Sequence, residues 1–307
     1  MKNLFILLIG FMFLIKGADL FVEGSSSVAK KFKIPSMIIG LTIVAMGTSA
    51  PEASVSITSS IIGQNDMSIA NVVGSNIFNI LMVLGISALI TKLPVKEITI
   101  KKDMPFLIAL SSLLTIFVFD LKITRIEGFV FIVIFIAFIL QLIKEAKFNG
   151  EHEDKEIKEL PLIKTVCYII VGIIGIIVGG DLTVDAASAI ALKFGLSENL
   201  IGLTIVAVGT SLPEFVTSVV AIRKGETDIA IGNVIGSNIF NILFVLGISS
   251  IISPLTVGVV AIIDSLVMVG LTILLFVNIK TKNFIIKQHG IIYVILYATY
   301  IAYTILR

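Results

Sequence analysis

Gly47-Thr48-Ser49-Ala50-Pro51-Glu52 recurs further along the chain as Gly209-Thr210-Ser211-Leu212-Pro213-Glu214. The hexads lie within longer copies. Residues 40–91 align with 202–253 at a constant offset of 162, without a gap, and 31 of the 52 paired positions are identical. Each copy carries a second polar cluster, Gly74-Ser75-Asn76-Ile77-Phe78-Asn79 and Gly236-Ser237-Asn238-Ile239-Phe240-Asn241, in otherwise apolar sequence. A helix-breaker followed by a carboxylate, at corresponding places of two halves, is the strongest sequence pointer to a transport site in a membrane.

Composition supports a membrane setting. The 307 residues are 57% hydrophobic and 14% charged, with a mean hydropathy of +1.09, where a soluble domain holds about 45–50% apolar and about 25% charged residues. The chain therefore reads as a polytopic membrane protein whose first partner is the lipid bilayer. A single cysteine, Cys167, excludes a disulfide framework and a cysteine metal cluster. His152 and His289 fall in charged loop sequence, where solvated side chains are expected. With a net charge of +2 and no basic domain, nucleic-acid binding is excluded. Lys2 and the apolar run behind it have the look of a secretory signal. The run passes Lys16 into Leu20-Phe21-Val22 with no small-x-small cleavage site, so a retained first helix is expected.

A hydrocarbon core of about 30 Å asks for about 20 apolar residues per helix. On that measure ten spans are expected, near 3–22, 34–62, 68–91, 104–121, 126–146, 161–179, 199–222, 229–253, 256–279 and 287–306. The hexads fall in the second and seventh, which are expected to be broken helices. The one sizeable hydrophilic stretch, 147–160, separates an N-terminal repeat, 1–146, from a C-terminal repeat, 161–307. Gly17-Ala18-Asp19-Leu20-Phe21-Val22-Glu23 also pairs with Gly179-Gly180-Asp181-Leu182-Thr183-Val184-Asp185 at the same offset, so the repeat covers five spans. A tandem unit with an odd number of crossings must enter the membrane from opposite sides. The expected fold is all-α, ten transmembrane helices as two inverted-topology five-helix repeats.

Loop charges give the orientation. With the N-terminus outside, the inner loops hold seventeen of the 23 basic residues, among them Lys30, Lys31, Lys33, Lys92, Lys96, Lys101, Lys102, Arg223, Lys224, Lys280, Lys282 and Lys287. The positive-inside rule then puts both termini outside and the 147–160 linker in the cytoplasm.

The chemistry centres on the hexads. Proline lacks an N–H and its ring clashes with the carbonyl four residues back, so Pro51 and Pro213 are expected to break their helices and release the carbonyls of Gly47 and Gly209. Ser49, Glu52 and Ser56 fall on one helical face, four residues also separate Thr48 from Glu52, and Thr210, Ser211, Glu214 and Ser218 repeat the pattern. Asn71, Ser75 and Asn79, with their mates Asn233, Ser237 and Asn241, stripe the next helix at a spacing of four. Pro and Gly often merely kink membrane helices, and Ser, Thr and Asn often merely join them. A carboxylate at a helix centre, however, costs about 2.5–3.5 kcal/mol on the gentler scales. Two at matching positions point to function. The set is all oxygen, which suits Ca²⁺ and the similarly hard Na⁺, and its lack of His and Cys argues against zinc or copper. Asp19, Glu23, Asp181 and Asp185 lie toward expected span ends, where capping, snorkelling and gating compete with ion binding. Asp66 and Asp228 fall at turns, where solvation is expected.

The paired Gly-Thr-Ser-x-Pro-Glu and Gly-Ser-Asn-Ile-Phe-Asn clusters resemble the two alpha-repeats, here 40–91 and 202–253, of the cation/Ca²⁺ antiporter superfamily, and above all its prokaryotic sodium/calcium exchanger branch. The resemblance spans essentially the whole chain. It implies four cation subsites at the bilayer midplane, with Glu52 and Glu214 as central ligands. Thr48, Thr210, Ser49, Ser211, Ser75 and Ser237 would surround them, and the carbonyls of Ala45 and Ala207 and the side chains of Asn79 and Asn241 would complete the set. It also implies three Na⁺ per Ca²⁺ and a first and sixth helix that slide across the rest. Some relatives, potassium-dependent exchangers among them, carry an acid where this chain has Asn241, so two carboxylates rather than three disfavour K⁺ co-transport. The chain also lacks the large calcium-sensing loop of animal exchangers.

The leading expectation is electrogenic exchange of Na⁺ for Ca²⁺ by alternating access in the cytoplasmic membrane, exporting Ca²⁺. A Ca²⁺/H⁺ antiporter that protonates the same two glutamates is the nearest alternative; a cation channel is a third. An enzyme is not expected, since no His-Glu-x-x-His or nucleophile–base motif is present. No cofactor beyond the transported ions and no obligatory protein partner is expected.

Overall fold

The computed structural model describes residues 2–148, 159–195, 201, 204–205 and 207–306. Helices make up nearly all of it. Among the described residues seven helices are long and apolar enough to cross a membrane, or eight if the bent pair Ser36–Thr48 and Ala50–Ile61 counts as one span. The other stretches expected to cross include Met104–Val118, entered through a wide π turn at Thr99–Asp103, and Leu212–Arg223, whose approach lies partly outside the described residues.

Polarity runs inside out. Asn65–Ile90 and Thr227–Ile252, the helices with the Ser-Asn clusters, are 72% and 78% buried across their apolar windows, against 11–33% for the other five. Large apolar side chains such as Phe5, Ile126, Phe129 and Ile163 point outward from the peripheral helices. Thr48, Ser49, Glu52, Asn79, Ser211, Glu214, Asn233 and Asn241 are wholly buried. Lipid offers no hydrogen bonds, so the polar groups turn toward one another.

The helices Lys2–Phe32 and Leu162–Lys193 run far past the expected 3–22 and 161–179. At about 1.5 Å per residue they span roughly 45 Å or more, so they tilt or extend beyond the hydrocarbon. The first stops at Lys33, whose φ is 54°, just ahead of Pro35, and the second at Gly195, with φ 83°; left-handed residues are common helix terminators. Asp19, Glu23, Asp181 and Asp185, at the ends of the expected spans, therefore sit within continuous helices. The two helices lie antiparallel at backbone contact: a Cβ on Gly17 would come within 2.7 Å of the Ile176 nitrogen and 2.9 Å of the Gly172 carbonyl. Only small residues permit such an approach. A second close crossing joins Gly40 to Gly232 on Thr227–Phe240, where a Cβ on Gly40 would lie 2.9 Å from the Gly232 Cα.

Two antiparallel bridges tie the connections. Leu93 and Pro94 pair with Ile285 and Phe284, and Lys122 and Ile123 pair with Thr256 and Leu255. Adding 162 to 93–94 gives 255–256, and adding it to 122–123 gives 284–285, so each bridge is the repeat image of the other. His289 lies in the helix Lys287–Leu306 and not in a loop; His152 falls outside the described residues. Asp228 lies in the first helical turn of Thr227–Phe240, is buried and pairs with Lys96 at 3.0 Å, so it is not solvated. Asp66 is at the surface, where Oδ1 accepts the Gly258 N–H at 2.9 Å.

Candidate functional site

Each hexad ends one short helix and starts the next. Ser49 and Ser211 stand at the junctions with (φ, ψ) of (−83°, 10°) and (−91°, 4°), the sparsely populated bridge region. Pro51 and Pro213 occupy the second positions of Ala50–Ile61 and Leu212–Arg223, where a missing N–H is no loss. The first half bends by 50° here. Glu52 and Glu214 consequently lie in the first turns of their helices, where the helix dipole favours negative charge.

The halves then exchange hydrogen bonds. Ser49 Oγ donates to Glu214 Oε1 at 2.7 Å, and Ser211 Oγ donates to Glu52 Oε1 at 3.0 Å. Ser75 Oγ reaches the same Glu52 oxygen at 3.5 Å. The second carboxylate oxygens, Glu52 Oε2 and Glu214 Oε2, are buried and have no donor among the described residues, and neither do Asn79 Oδ1 and Asn241 Oδ1. A buried acceptor without a partner is expensive. Here four occur as two repeat-related pairs.

A ring of braces surrounds these oxygens. Asn71 Nδ2 donates to the Glu52 carbonyl at 3.2 Å and to Ser56 Oγ at 2.9 Å; Asn233 Nδ2 donates to the Glu214 carbonyl at 3.4 Å and to Ser218 Oγ at 3.0 Å. The amide oxygens face the opposite half, where Asn233 Oδ1 accepts from Thr48 Oγ1 at 3.0 Å and Asn71 Oδ1 from Thr210 Oγ1 at 3.4 Å. Ser237 Oγ reaches the Ala45 carbonyl at 3.5 Å, and that carbonyl also accepts the Ser49 N–H at 3.0 Å. Ala207 opens the short helix Ala207–Gly209, and the Ser211 N–H bonds the Val208 carbonyl at 3.2 Å. With the carbonyl of Ala207 placed only by its backbone, the other eleven expected ligands converge through the contacts above or through the donor-free oxygens of Asn79 and Asn241.

Sequence reasoning passed over three features. Asn79–Val83 and Asn241–Val245 are π turns, as is Gly40–Val44; such one-turn expansions favour functional sites but have no sequence signature. Asn76 and Asn238 are buried at the centre, each bonded to the opposite half; their duplication in both clusters was the available signal. Lys224, finally, meets Asp19 at 2.8 Å and Glu23 at 3.5 Å, and its repeat mate is Ile62. Among the described residues no three His, Cys, Asp or Glu side chains cluster as a metal site, so Glu52 and Glu214 supply the acidic charge at this centre.

Apolar helices wrapped around a buried, oxygen-rich centre define a multi-pass membrane transporter. The chain belongs to the sodium/calcium exchanger protein family, whose sequence profile matches residues 2–144 and 164–306. It is 32% identical to the sodium/calcium exchanger MaX1 of Methanosarcina acetivorans, over 97% of each chain. It is 37% identical to the inner membrane protein YrbG of Escherichia coli strain K12, over 81% of this chain and 79% of that one. Among solved structures it matches the sodium-calcium exchanger NCX_Mj soaked with 2.5 mM Na⁺ and 0.1 mM Ca²⁺, with a TM-score of 0.87, 32% identity and 98% of each chain covered. The chain is thus a cation/Ca²⁺ antiporter of the prokaryotic exchanger branch.

Proposed function

We propose that this protein exchanges Na⁺ for Ca²⁺ across the cytoplasmic membrane by alternating access, with Glu52 and Glu214 as the central ligands of both ions. The observation that carries the reading is the set of four donor-free acceptor oxygens, Glu52 Oε2, Glu214 Oε2, Asn79 Oδ1 and Asn241 Oδ1. Hydroxyls of Thr48, Thr210, Ser49, Ser211, Ser75 and Ser237 and carbonyls of Ala45 and Ala207 complete a neutral shell. Ca²⁺ takes about six to eight oxygens, and a set of two carboxylates with neutral oxygens meets that demand.

The topology belongs to the same proposal: ten spans, as five-helix repeats 1–146 and 161–307 of opposite orientation, joined by a cytoplasmic linker at 147–160, with both termini outside. Two features support it. The bridges at 93–94 with 284–285 and 122–123 with 255–256 are images of each other under the offset of 162. The positive-inside rule gives the orientation.

The charge of the centre makes exchange obligatory. An empty site holds two bare carboxylates, which are costly to carry through a low-dielectric barrier. Ca²⁺ cancels their charge, and Na⁺ ions cancel or slightly exceed it, so only loaded states cross. At three Na⁺ per Ca²⁺ one net charge moves per cycle, and 100 mV biases that step by about 2.3 kcal/mol, driving Ca²⁺ outward. The glycine-lined pair Lys2–Phe32 and Leu162–Lys193 is the element suited to slide.

The test is ⁴⁵Ca²⁺ uptake into proteoliposomes with Na⁺, K⁺ and H⁺ gradients varied separately. Uptake driven by a Na⁺ gradient, and indifferent to K⁺, supports the proposal. Uptake driven by a pH gradient alone identifies a Ca²⁺/H⁺ antiporter, and conductance far above transporter turnover identifies a channel.

A further inference from the structure

Asn76 and Asn238 face each other where Asn65–Phe78 crosses Thr227–Phe240. Asn76 Nδ2 donates to the Asn238 carbonyl at 3.2 Å and also faces Met268 Sδ at 3.6 Å; Asn238 Nδ2 reaches the Asn76 carbonyl at 3.5 Å. Backbone carbonyls and thioethers only accept hydrogen bonds, so both amide groups must turn their NH₂ toward the opposite chain segment and their oxygen away. Those oxygens are then taken: Asn76 Oδ1 accepts from Asn241 Nδ2, and Asn238 Oδ1 from Asn79 Nδ2, each at 3.1 Å. This in turn fixes the amides of Asn79 and Asn241. With their NH₂ groups engaged, their oxygens are left facing away, buried and without a donor among the described residues. Reversing the network would set amide oxygens against carbonyl oxygens at both ends.

We infer that Asn76 and Asn238 are positioning residues for ion binding: two backbone carbonyls, acting through these amides, hold the side-chain oxygens of Asn241 and Asn79 toward the transported cation. The arrangement crosses the halves, Asn76 of the first orienting Asn241 of the second and Asn238 orienting Asn79. Neither positioning residue is an expected ligand. An asparagine ligand presents either an oxygen or an amino group, and the wrong face would repel the ion. A carboxylate has no wrong face.

That difference supplies the test, which rests on the proposed site and is read separately from it. Ca²⁺ binding to the purified full-length protein is measured with ⁴⁵Ca²⁺ for the unmodified chain, Asn76→Ala, Asn241→Asp and the double variant, and for the mirror set Asn238→Ala, Asn79→Asp and their combination. Loss of an outer-shell partner typically weakens metal binding about 10- to 100-fold, and Asn76→Ala is expected to do so in the native background. In the Asn241→Asp background the same change should cost nothing, or even improve binding, because the introduced carboxylate has no NH₂ to donate and would face Asn76 Oδ1 unfavourably. The mirror set should behave alike, and it decides the matter if one variant of the first set does not fold. Equal weakening in both backgrounds would show a packing role and overturn the inference, as would unchanged affinity in Asn76→Ala. An unmodified chain that binds no Ca²⁺ overturns the site itself, and this inference with it.

Discussion

Ser49 donates its hydroxyl proton to Glu214 at 2.7 Å, and Ser211 returns the bond to Glu52 at 3.0 Å. The serine of each hexad thus serves the carboxylate of the other, 165 and 159 residues away. Neither half can form its own site. The duplication works as one centre because the two helix junctions meet, and each carboxylate keeps one oxygen braced and one free.

Removing one of these bonds should weaken the site. A hydrogen bond to a charged group contributes about 1.5–3 kcal/mol, and every 1.4 kcal/mol is about tenfold in affinity. Ser49→Ala is therefore expected to lower apparent Ca²⁺ affinity roughly 10- to 100-fold, measured by ⁴⁵Ca²⁺ binding. An unchanged affinity would mean that the exchanged bonds play no part in ion binding.

The long helix pair depends on its missing side chains. A methyl group at Gly17 would meet the backbone of Leu162–Lys193 at 2.7–2.9 Å, and overpacking of this kind costs about 1–3 kcal/mol. Gly17→Ala should lower the Tm of the purified protein and slow exchange. Gly270, where an added methyl would meet nothing within 4 Å, is the control: Gly270→Ala should be neutral or stabilising, since alanine is the better helix former. Equal effects at both positions would remove close packing as the cause.

The ion pairs of Lys96 and Lys224 should differ in weight. Lys224 and its partners Asp19 and Glu23 are 29–43% exposed, and pairs in such settings contribute about 0–1 kcal/mol. The Lys96 partner, Asp228, is 9% exposed at its side chain, and depriving a buried carboxylate of a cation is costlier. Lys96→Ala is expected to lower Tm more than Lys224→Ala in thermal unfolding. The reverse order would contradict the burial argument.

Much of this was legible in the sequence because it is written twice. Glu52 and Glu214, their serines and threonines, and Asn79 and Asn241 all stand out by repetition at one offset. What repetition does not reveal is which copy faces which: that Ser49 serves Glu214 and not its neighbour Glu52 depends on how the junctions meet. Asn76 and Asn238 are hidden as two more polar residues in a polar cluster, their task visible only once the donors are traced to carbonyls. Counting apolar residues bounds a membrane crossing and not a helix, so the first and sixth helices run on past Val22 and Gly179 on their backbone hydrogen bonds until a terminator such as Lys33 or Gly195 stops them. Asp228 looks solvated for a similar reason, since its lysine comes from a connection more than a hundred residues earlier.

The central claim is that one pair of glutamates, drawn from both halves, carries Ca²⁺ and Na⁺ in turn. It is tested most directly by Na⁺-gradient-driven ⁴⁵Ca²⁺ flux in proteoliposomes carrying Glu52→Gln or Glu214→Gln, beside the unmodified protein. Glutamine keeps the shape and removes the charge, and flux is predicted to vanish in either variant while folded protein is recovered. Na⁺-driven Ca²⁺ flux that persists in either one would contradict the account.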